Sequence, residues 1–220
     1  MLYLLRRLLS YIVPLTRTVH SPITGQLEIT WHHGQKVLDT PHANYSYGSL
    51  QRVLRYGLMF VAPEQASHTL LLGLGGGSVV ATLRKELQYQ GHITAVELDA
   101  VMIQLADAEF GIRPDAQLEI VCADAFEWVK SAPKEHFGLI IVDLFVDLYL
   151  PDGLRTATFW QALQQLLRPG GYVLANTLTD VPLEVEGEEL AIYLEKQGFT
   201  VKELEVELLN RLLVLQKAQA

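Results

Sequence analysis

Residues 70–83 read LLLGLGGGSVVATL, an apolar run that breaks into four glycines within five positions and leaves as an apolar, helix-compatible stretch. A strand that enters a glycine turn and continues into a helix brings backbone N–H groups against a ligand. Glycine suits the turn because it accepts positive φ and puts no side chain between backbone and ligand. Gly73, Gly75, Gly76 and Gly77, with Ser78 opening the helix, are therefore candidate ligand contacts. The loop by itself fits a phosphate, a dinucleotide or an adenosyl sulfonium, so the rest of the chain must choose.

From residue 69 onward strand and helix patterns alternate. The strand candidates are TLLLGL, HITAVEL, QLEIVCA, FGLIIVDLF and GYVLANT, and the helical stretches fall near 78–90, 100–109, 124–131 and 156–167. Strands this continuously apolar, each followed by a helix, indicate a parallel sheet covered on both faces. The chain closes with a helix in EGEELAIYLEKQG and two tightly joined runs, FTVKELEVEL and NRLLVLQK, which read as an antiparallel pair. The expected fold class is α/β: a Rossmann-like, mostly parallel sheet of seven strands ending in an antiparallel hairpin. Upstream the rhythm differs. LEITW and KVLDT flank HHGQ as a β-hairpin with Gly34 in the turn. A helix follows in YSYGSLQRVLRYGLMF, capped by Ser46 or Ser49, with Leu50, Val53, Leu54 and Leu58 on one face. These regions divide the chain into an N-terminal part, 1–60, and a ligand-binding domain, 61–220.

Ligands of open α/β sheets bind beyond the carboxyl ends of the strands. There the chain carries acids: Glu97 ends the second strand, about twenty residues past the glycines, where a carboxylate accepts both ribose hydroxyls. Asp124 follows the third strand and suits an adenine amino group; Asp143 tips the fourth and faces the reacting end of a ligand. Asp124 and Asp99 are equally well placed as helix N-caps. Three acids at one sheet edge, in register with a glycine loop, point to a nucleoside.

The formal charge of −8 argues against nucleic acid as the main partner, since that contact rests on clustered Lys and Arg. Cys122 is the single cysteine. It has no disulfide partner, reads as a buried, inert strand residue and fits a reducing, cytoplasmic compartment. The N-terminal MLYLLRRLLSYIVPL is too short between its charges to span a bilayer. It reads as an amphipathic helix ending near Pro14 and packing on its own domain or a partner subunit, with membrane-surface association as the alternative. His32 and His33 sit in the hairpin turn without metal-like spacing, so no metal site is expected.

LLGLGGGSVVATL, AVELDAVMIQLA, ADAFEWV, LIIVDLF and LLRPGGYVLAN together resemble a class I S-adenosylmethionine-dependent methyltransferase fold. The hairpin with Gln26, followed by YSYGSLQRVL, resembles more narrowly the spermidine synthase family. The resemblance spans about residues 20–215. It implies S-adenosylmethionine or its decarboxylated form held by Gly73, Gly75, Gly76, Gly77, Ser78, Glu97, Asp124, Ala125, Asp143 and Gln26. It also implies Asp143 and Asp147 as catalytic carboxylates beside a small amine substrate. Tyr45, Tyr47 and Tyr149 are the candidate substrate contacts, as an aromatic face for a cation; the packing alternative for Tyr45 and Tyr47 is a staple at the helix start. The segment LFVDLYLPDGLR (144–155) reads as a lid or as a plain connection. Two departures matter. Where the family has an aspartate after GGG, facing the ammonium of the decarboxylated ligand, this chain has Ser78, which favours the intact ligand and methyl transfer. Where the family ends its fourth strand in D-S-x-D, this chain reads DLFVD, so Asp143 carries over more directly than Asp147. Aminopropyl transfer to a polyamine, a non-catalytic nucleoside-binding protein and an NAD-dependent oxidoreductase are the alternatives, the last opposed by the terminal hairpin. A homodimer is the expected assembly if the chain associates.

Overall fold

The computed structural model describes residues 2–42, 44–207 and 209–219, without the side chains of residues 2, 3, 44 and 45. Helix α1 (Leu2–Leu9) leads into an antiparallel sheet of β1 (Leu15–Ser21), β2 (Gly25–His32), β3 (Gln35–Asp39) and β4 (Asn44–Ser46), in that spatial order. The expected hairpin is β2–β3. His33 and Gly34, at φ 48° and 76°, form its two-residue turn, because a twisted hairpin is closed most easily by two positive φ values. The flanking strands β1 and β4 extend it beyond what the sequence pattern indicated.

Helix α2 (Gly48–Leu58) buries Val53, Leu54 and Leu58. Neither expected serine caps it: its N-cap is Tyr47 at φ 67°, with no side-chain cap bond. The Ser46 hydroxyl instead accepts the Ser78 N–H at 3.2 Å, serving the start of a different helix.

The main domain runs β5 (His68–Leu72), α3 (Ser78–Ala81) continuing as a π-helical turn (Thr82–Glu86), β6 (His92–Glu97), α4 (Ala100–Phe110), β7 (Leu118–Cys122), α5 (Ala125–Trp128) and β8 (Phe137–Val142). Then come α6 (Ala157–Leu166), β9 (Leu167–Leu178), a small turn pair β10 (Glu184–Val185) and β11 (Glu188–Glu189), α7 (Leu190–Lys196), β12 (Phe199–Val206) and β13 (Asn210–Lys217). The expected seven-stranded sheet is present in the order β12-β13-β9-β8-β5-β6-β7; β5 through β9 pair parallel, and β13 joins β9 and β12 antiparallel. Alternate strand residues face opposite layers. Leu70, Leu72, Ile140 and Val142 pack against α6 and α7, while Leu71, Leu139 and Ile141 pack against α2 and α3. Leu27, Ile29 and Leu38 of the small sheet pack on Met102 and Leu105 of α4.

Two expectations are corrected. Cys122 is exposed, not buried: β7 is an edge strand and Cys122 is its last residue, so nothing covers it from outside. For helix α1, expected to pack on its own domain or a partner subunit, the first alternative does not hold for Leu4, Leu5, Leu8 and Leu9, which are all exposed. The segment is tied instead just past the helix, where the Ser10 hydroxyl accepts the Gly34 N–H at 2.9 Å. His32 and His33 are exposed in their turn, as expected. Among the described residues no helix is long and apolar enough to cross a membrane.

The order of strands reverses between β5 and β8, the switch point at which open α/β sheets bind ligands. Gly73 leaves β5 at φ 92°, and a Cβ built there would stand 2.1 Å from the Asp143 carbonyl oxygen. Gly73→Ala should therefore destabilise the fold by about 2–4 kcal/mol, combining backbone strain with a collision against main chain. Gly187→Ala, at φ 79° with open space around it, should cost only about 1–2 kcal/mol. Urea unfolding midpoints of the two variants check the difference. Native-state alkylation of Cys122 should proceed at nearly the rate of the unfolded chain, measured by mass spectrometry.

Candidate functional site

A cavity of about 480 Å³ opens over the switch point, at the carboxyl ends of β5, β6, β8 and β9. Seven sequence-predicted residues line it: Gly73, Gly75, Glu97, Asp124, Ala125, Asp143 and Asp147. The parallel sheet brings them together because each lies at, or in the connection just beyond, the carboxyl end of a strand.

Glu97 closes the glycine loop. Its Oε2 accepts the N–H groups of Leu74 and Gly75, each at 3.0 Å, and its Oε1 accepts the Asp99 N–H at 3.0 Å. Burial pushes the carboxyl up, the three backbone donors pull it back, and the Asp99 charge adds to the rise. Leu98, next along the chain, stands half exposed on the cavity wall. Asp124 caps α5, its Oδ1 accepting the Phe126 N–H at 2.7 Å, so the cap and the cavity-lining roles coexist.

Asp99 caps α4 by accepting the Val101 N–H at 2.9 Å, and its other oxygen accepts the hydroxyls of Ser21 and Thr24. Burial alone would raise this carboxyl; the hydroxyl and backbone donors overcome that and hold it below the usual range. The bond to Thr24, at 2.6 Å, carries Ile23 and Thr24 of the β1–β2 turn onto the cavity wall.

Asp143 lies on the cavity floor. Its N–H donates to the Leu72 carbonyl at 2.8 Å, and its Oδ1 accepts Asn176 Nδ2 at 2.9 Å. Burial raises its pKa from 3.8 to about 6, the Asn176 donor opposes the rise, and the Glu97 charge adds to it. Asp147, at φ 54°, accepts the hydroxyl of Thr40 and thereby joins the 144–155 segment to the end of β3.

Six predicted contacts do not line the cavity. A Cβ at Gly76 would meet Ser46 at 2.9 Å, and one at Gly77 would meet Ile112 at 2.6 Å, so these glycines serve packing within the fold. Ser78 is buried beneath Ser46. Tyr47 stacks on Phe110 at 4.5 Å, and burial pushes its hydroxyl well above the ordinary range; it is a packing residue. Gln26 is exposed and donates to Glu28 at 2.8 Å. Tyr149 is 75 % exposed and does not line the cavity. The side chain of Tyr45 lies outside the described residues. Conversely, Asn176, Asn210, His42 and Leu209 line the cavity without having been singled out. Asn176 carried a signal, a lone amide inside the apolar run GYVLANT; Asn210 carried none.

Residues 70–171 match the family model described as a methyltransferase domain. The chain is 32 % identical over 160 residues to the polyamine aminopropyltransferase of Vibrio vulnificus, covering 70 % of this chain and 52 % of that one. It is 30 % identical over 115 residues to the eEF1A lysine and N-terminal methyltransferase homolog of Drosophila melanogaster, covering 49 % and 17 %. The chain thus spans about half the length, or less, of these curated relatives. Among solved structures it superimposes on a spermidine synthase in complex with the transition-state analogue AdoDATO, with TM-score 0.65, 20 % identity and coverage of 93 % of this chain and 74 % of that one. A probable spermidine synthase from Corynebacterium glutamicum gives TM-score 0.60 at 16 % identity, covering 93 % and 77 %. By sequence and fold, this chain carries a methyltransferase-type α/β domain similar to the polyamine aminopropyltransferases and to spermidine synthase structures.

Proposed function

We propose that the chain binds a cationic adenosyl sulfonium across the β5–β8 switch point and transfers an alkyl group from it to an amine, with aminopropyl transfer from decarboxylated S-adenosylmethionine as the leading reading. The observation that carries this is the charge of the cavity. Five carboxylates line it, Glu97, Asp99, Asp124, Asp143 and Asp147, and no Lys or Arg does so among the described residues. Such a lining attracts a sulfonium and an amine, whereas the carboxylate of an intact ligand would meet like charge with no side-chain cation to pair it. The polyamine aminopropyltransferase relatives support the same reading.

The residues fit an adenosine between Glu97 and Asp124, with Leu98 and Phe126 as apolar neighbours of the base. When bound, the sulfonium supplies a carbon already activated for displacement. The protein's part is to align the amine with the C–S bond and keep it unprotonated. Asp143, titrating near 6, is ionised at neutral pH and basic enough to orient the amine and receive its proton. Asp147 offers a second carboxylate for a distal ammonium, with Val146 and Leu148 beside intervening methylenes.

Methyl transfer is the second reading. It is favoured by Ser78 in place of the family's aspartate and by the methyltransferase relative. Ser78 itself, however, is buried and does not line the cavity. Incubating the protein with each sulfonium and a panel of di- and polyamines separates the readings. Methylthioadenosine released only with an amine supports aminopropyl transfer; S-adenosylhomocysteine supports methyl transfer. Binding without either product supports a non-catalytic nucleoside-binding protein.

Glu97→Gln should weaken sulfonium binding by about 1.5–3 kcal/mol, the range for hydrogen bonds to a charged acceptor, measured by calorimetry on folded protein. The Asp143 pKa gives a paired prediction. Because the folded value lies above the unfolded 3.8, this carboxyl favours the folded state at low pH, and that contribution is lost as pH rises through about 6. Transfer should instead rise with pH through the same range. At pH 7.5, Asp143→Asn should therefore stabilise the fold by about 1–3 kcal/mol in a thermal melt. The same change should lower kcat by about 10²–10⁴-fold.

A further inference from the structure

We propose that Asn210 is a positioning residue for Asp143, acting through Asn176 to fix which way a buried amide presents itself to the carboxylate. Asn210 Nδ2 donates to Asn176 Oδ1 at 3.0 Å, and Asn176 Nδ2 donates to Asp143 Oδ1 at 2.9 Å. Asn176 is 1 % exposed, so no solvent competes for its amide. The inference builds on the assignment of Asp143 as the group that handles the acceptor's proton.

The ladder has a direction. An ionised carboxylate only accepts, so Asn176 must turn its NH₂ towards Asp143 and its carbonyl away. That carbonyl then needs a donor, and Asn210 supplies one. A protonated Asp143 could donate its O–H to the Asn176 carbonyl, which would reverse the amide and leave its NH₂ facing the NH₂ of Asn210. With its own NH₂ held towards Asn176, as observed, Asn210 favours the ionised carboxylate from one residue away. The arrangement crosses strands: Asn176 lies in β9 and Asn210 opens β13, which pairs antiparallel to β9 with Asn210 opposite Leu178.

The other groups around Asp143 act in different directions. Gly73 at the end of β5 presents backbone, and Glu97 at the end of β6 adds a like charge that raises the carboxyl. Asp124, Asp147 and His42 share the cavity from α5, the 144–155 segment and the β3–β4 connection. Among the groups that bear on the Asp143 carboxyl, the amide of Asn176 is the one that lowers it, and its orientation is what Asn210 secures.

The test is a ¹³C NMR titration of the Asp143 carboxyl in ligand-free protein, so that it reads independently of any transfer activity. Asn210→Asp replaces the donor by an acceptor and should raise the Asp143 midpoint by about one pH unit or more. In an Asn176→Leu background, which removes the relay and keeps side-chain volume, the same change should move the midpoint by less than about 0.3 unit. Equal shifts in the two backgrounds would mean a through-space charge effect and would overturn the proposal, as would no shift in either. Should Asn210→Asp fail to fold, Asn210→Leu strips the donor without adding charge and should shift the midpoint upward about half as far. In active protein the ascending limb of kcat should move with the midpoint. A relay seen by NMR in protein that transfers nothing would overturn the transferase reading alone.

Discussion

Everything at the site depends on the contact between the end of β5 and the end of β8. There the chain leaves one strand at Gly73 with its backbone pressed against the carbonyl of Asp143. The Asp143 N–H bonds to Leu72 and the Gly73 N–H to Val96, so three parallel strands end in fixed register around a single residue without a side chain. A Cβ at that point would force β5 and β8 apart and open the switch point. Because the strands are held so closely, Glu97, Asp124 and Asp143 converge on one cavity although 46 residues separate the first from the last.

Convergence of carboxylates has an electrostatic cost, and the structure offsets it unevenly. Asp99 receives two hydroxyls and a backbone donor and is held ionised; it has become a joint between the small sheet and α4. Glu97 receives three backbone N–H groups, which places it under the glycine loop as a brace. Asp143 receives one side-chain donor and remains raised. Asp99 is thus compensated below its ordinary range, while Glu97 and the floor acid Asp143 stay raised, the latter to about 6.

The N-terminal sheet is joined to the site by hydroxyls. Ser21 and Thr24 reach Asp99, Thr40 reaches Asp147, and Ser46 receives the first N–H of α3. Its core contact with α4 is apolar, through Leu27, Ile29 and Leu38 on Met102 and Leu105. The sheet therefore forms one wall of the cavity, contributing Ile23, Thr24 and His42, and the 144–155 segment is fastened to it through Asp147.

What the sequence determined by itself was everything with a local period or a local turn. The five apolar strand runs, the Gly34 hairpin, the closing antiparallel pair and the acids at strand ends were legible because strand burial, positive φ and parallel-strand chemistry leave marks within a few residues. Tertiary structure decided what depends on residues distant in the chain. Cys122 reads as core by pattern, yet it is exposed because the strand order leaves β7 at an edge. Gly76, Gly77 and Ser78 belong to the same glycine motif as Gly73 and Gly75, but Ser46 and Ile112 cover them from elsewhere in the chain. Asn210 gained its place only when β13 paired with β9 and set its amide against Asn176, 34 residues away. Local sequence specifies which way a side chain leans from its own strand; which group it meets there is fixed by packing between strands that the chain joins only through long connections.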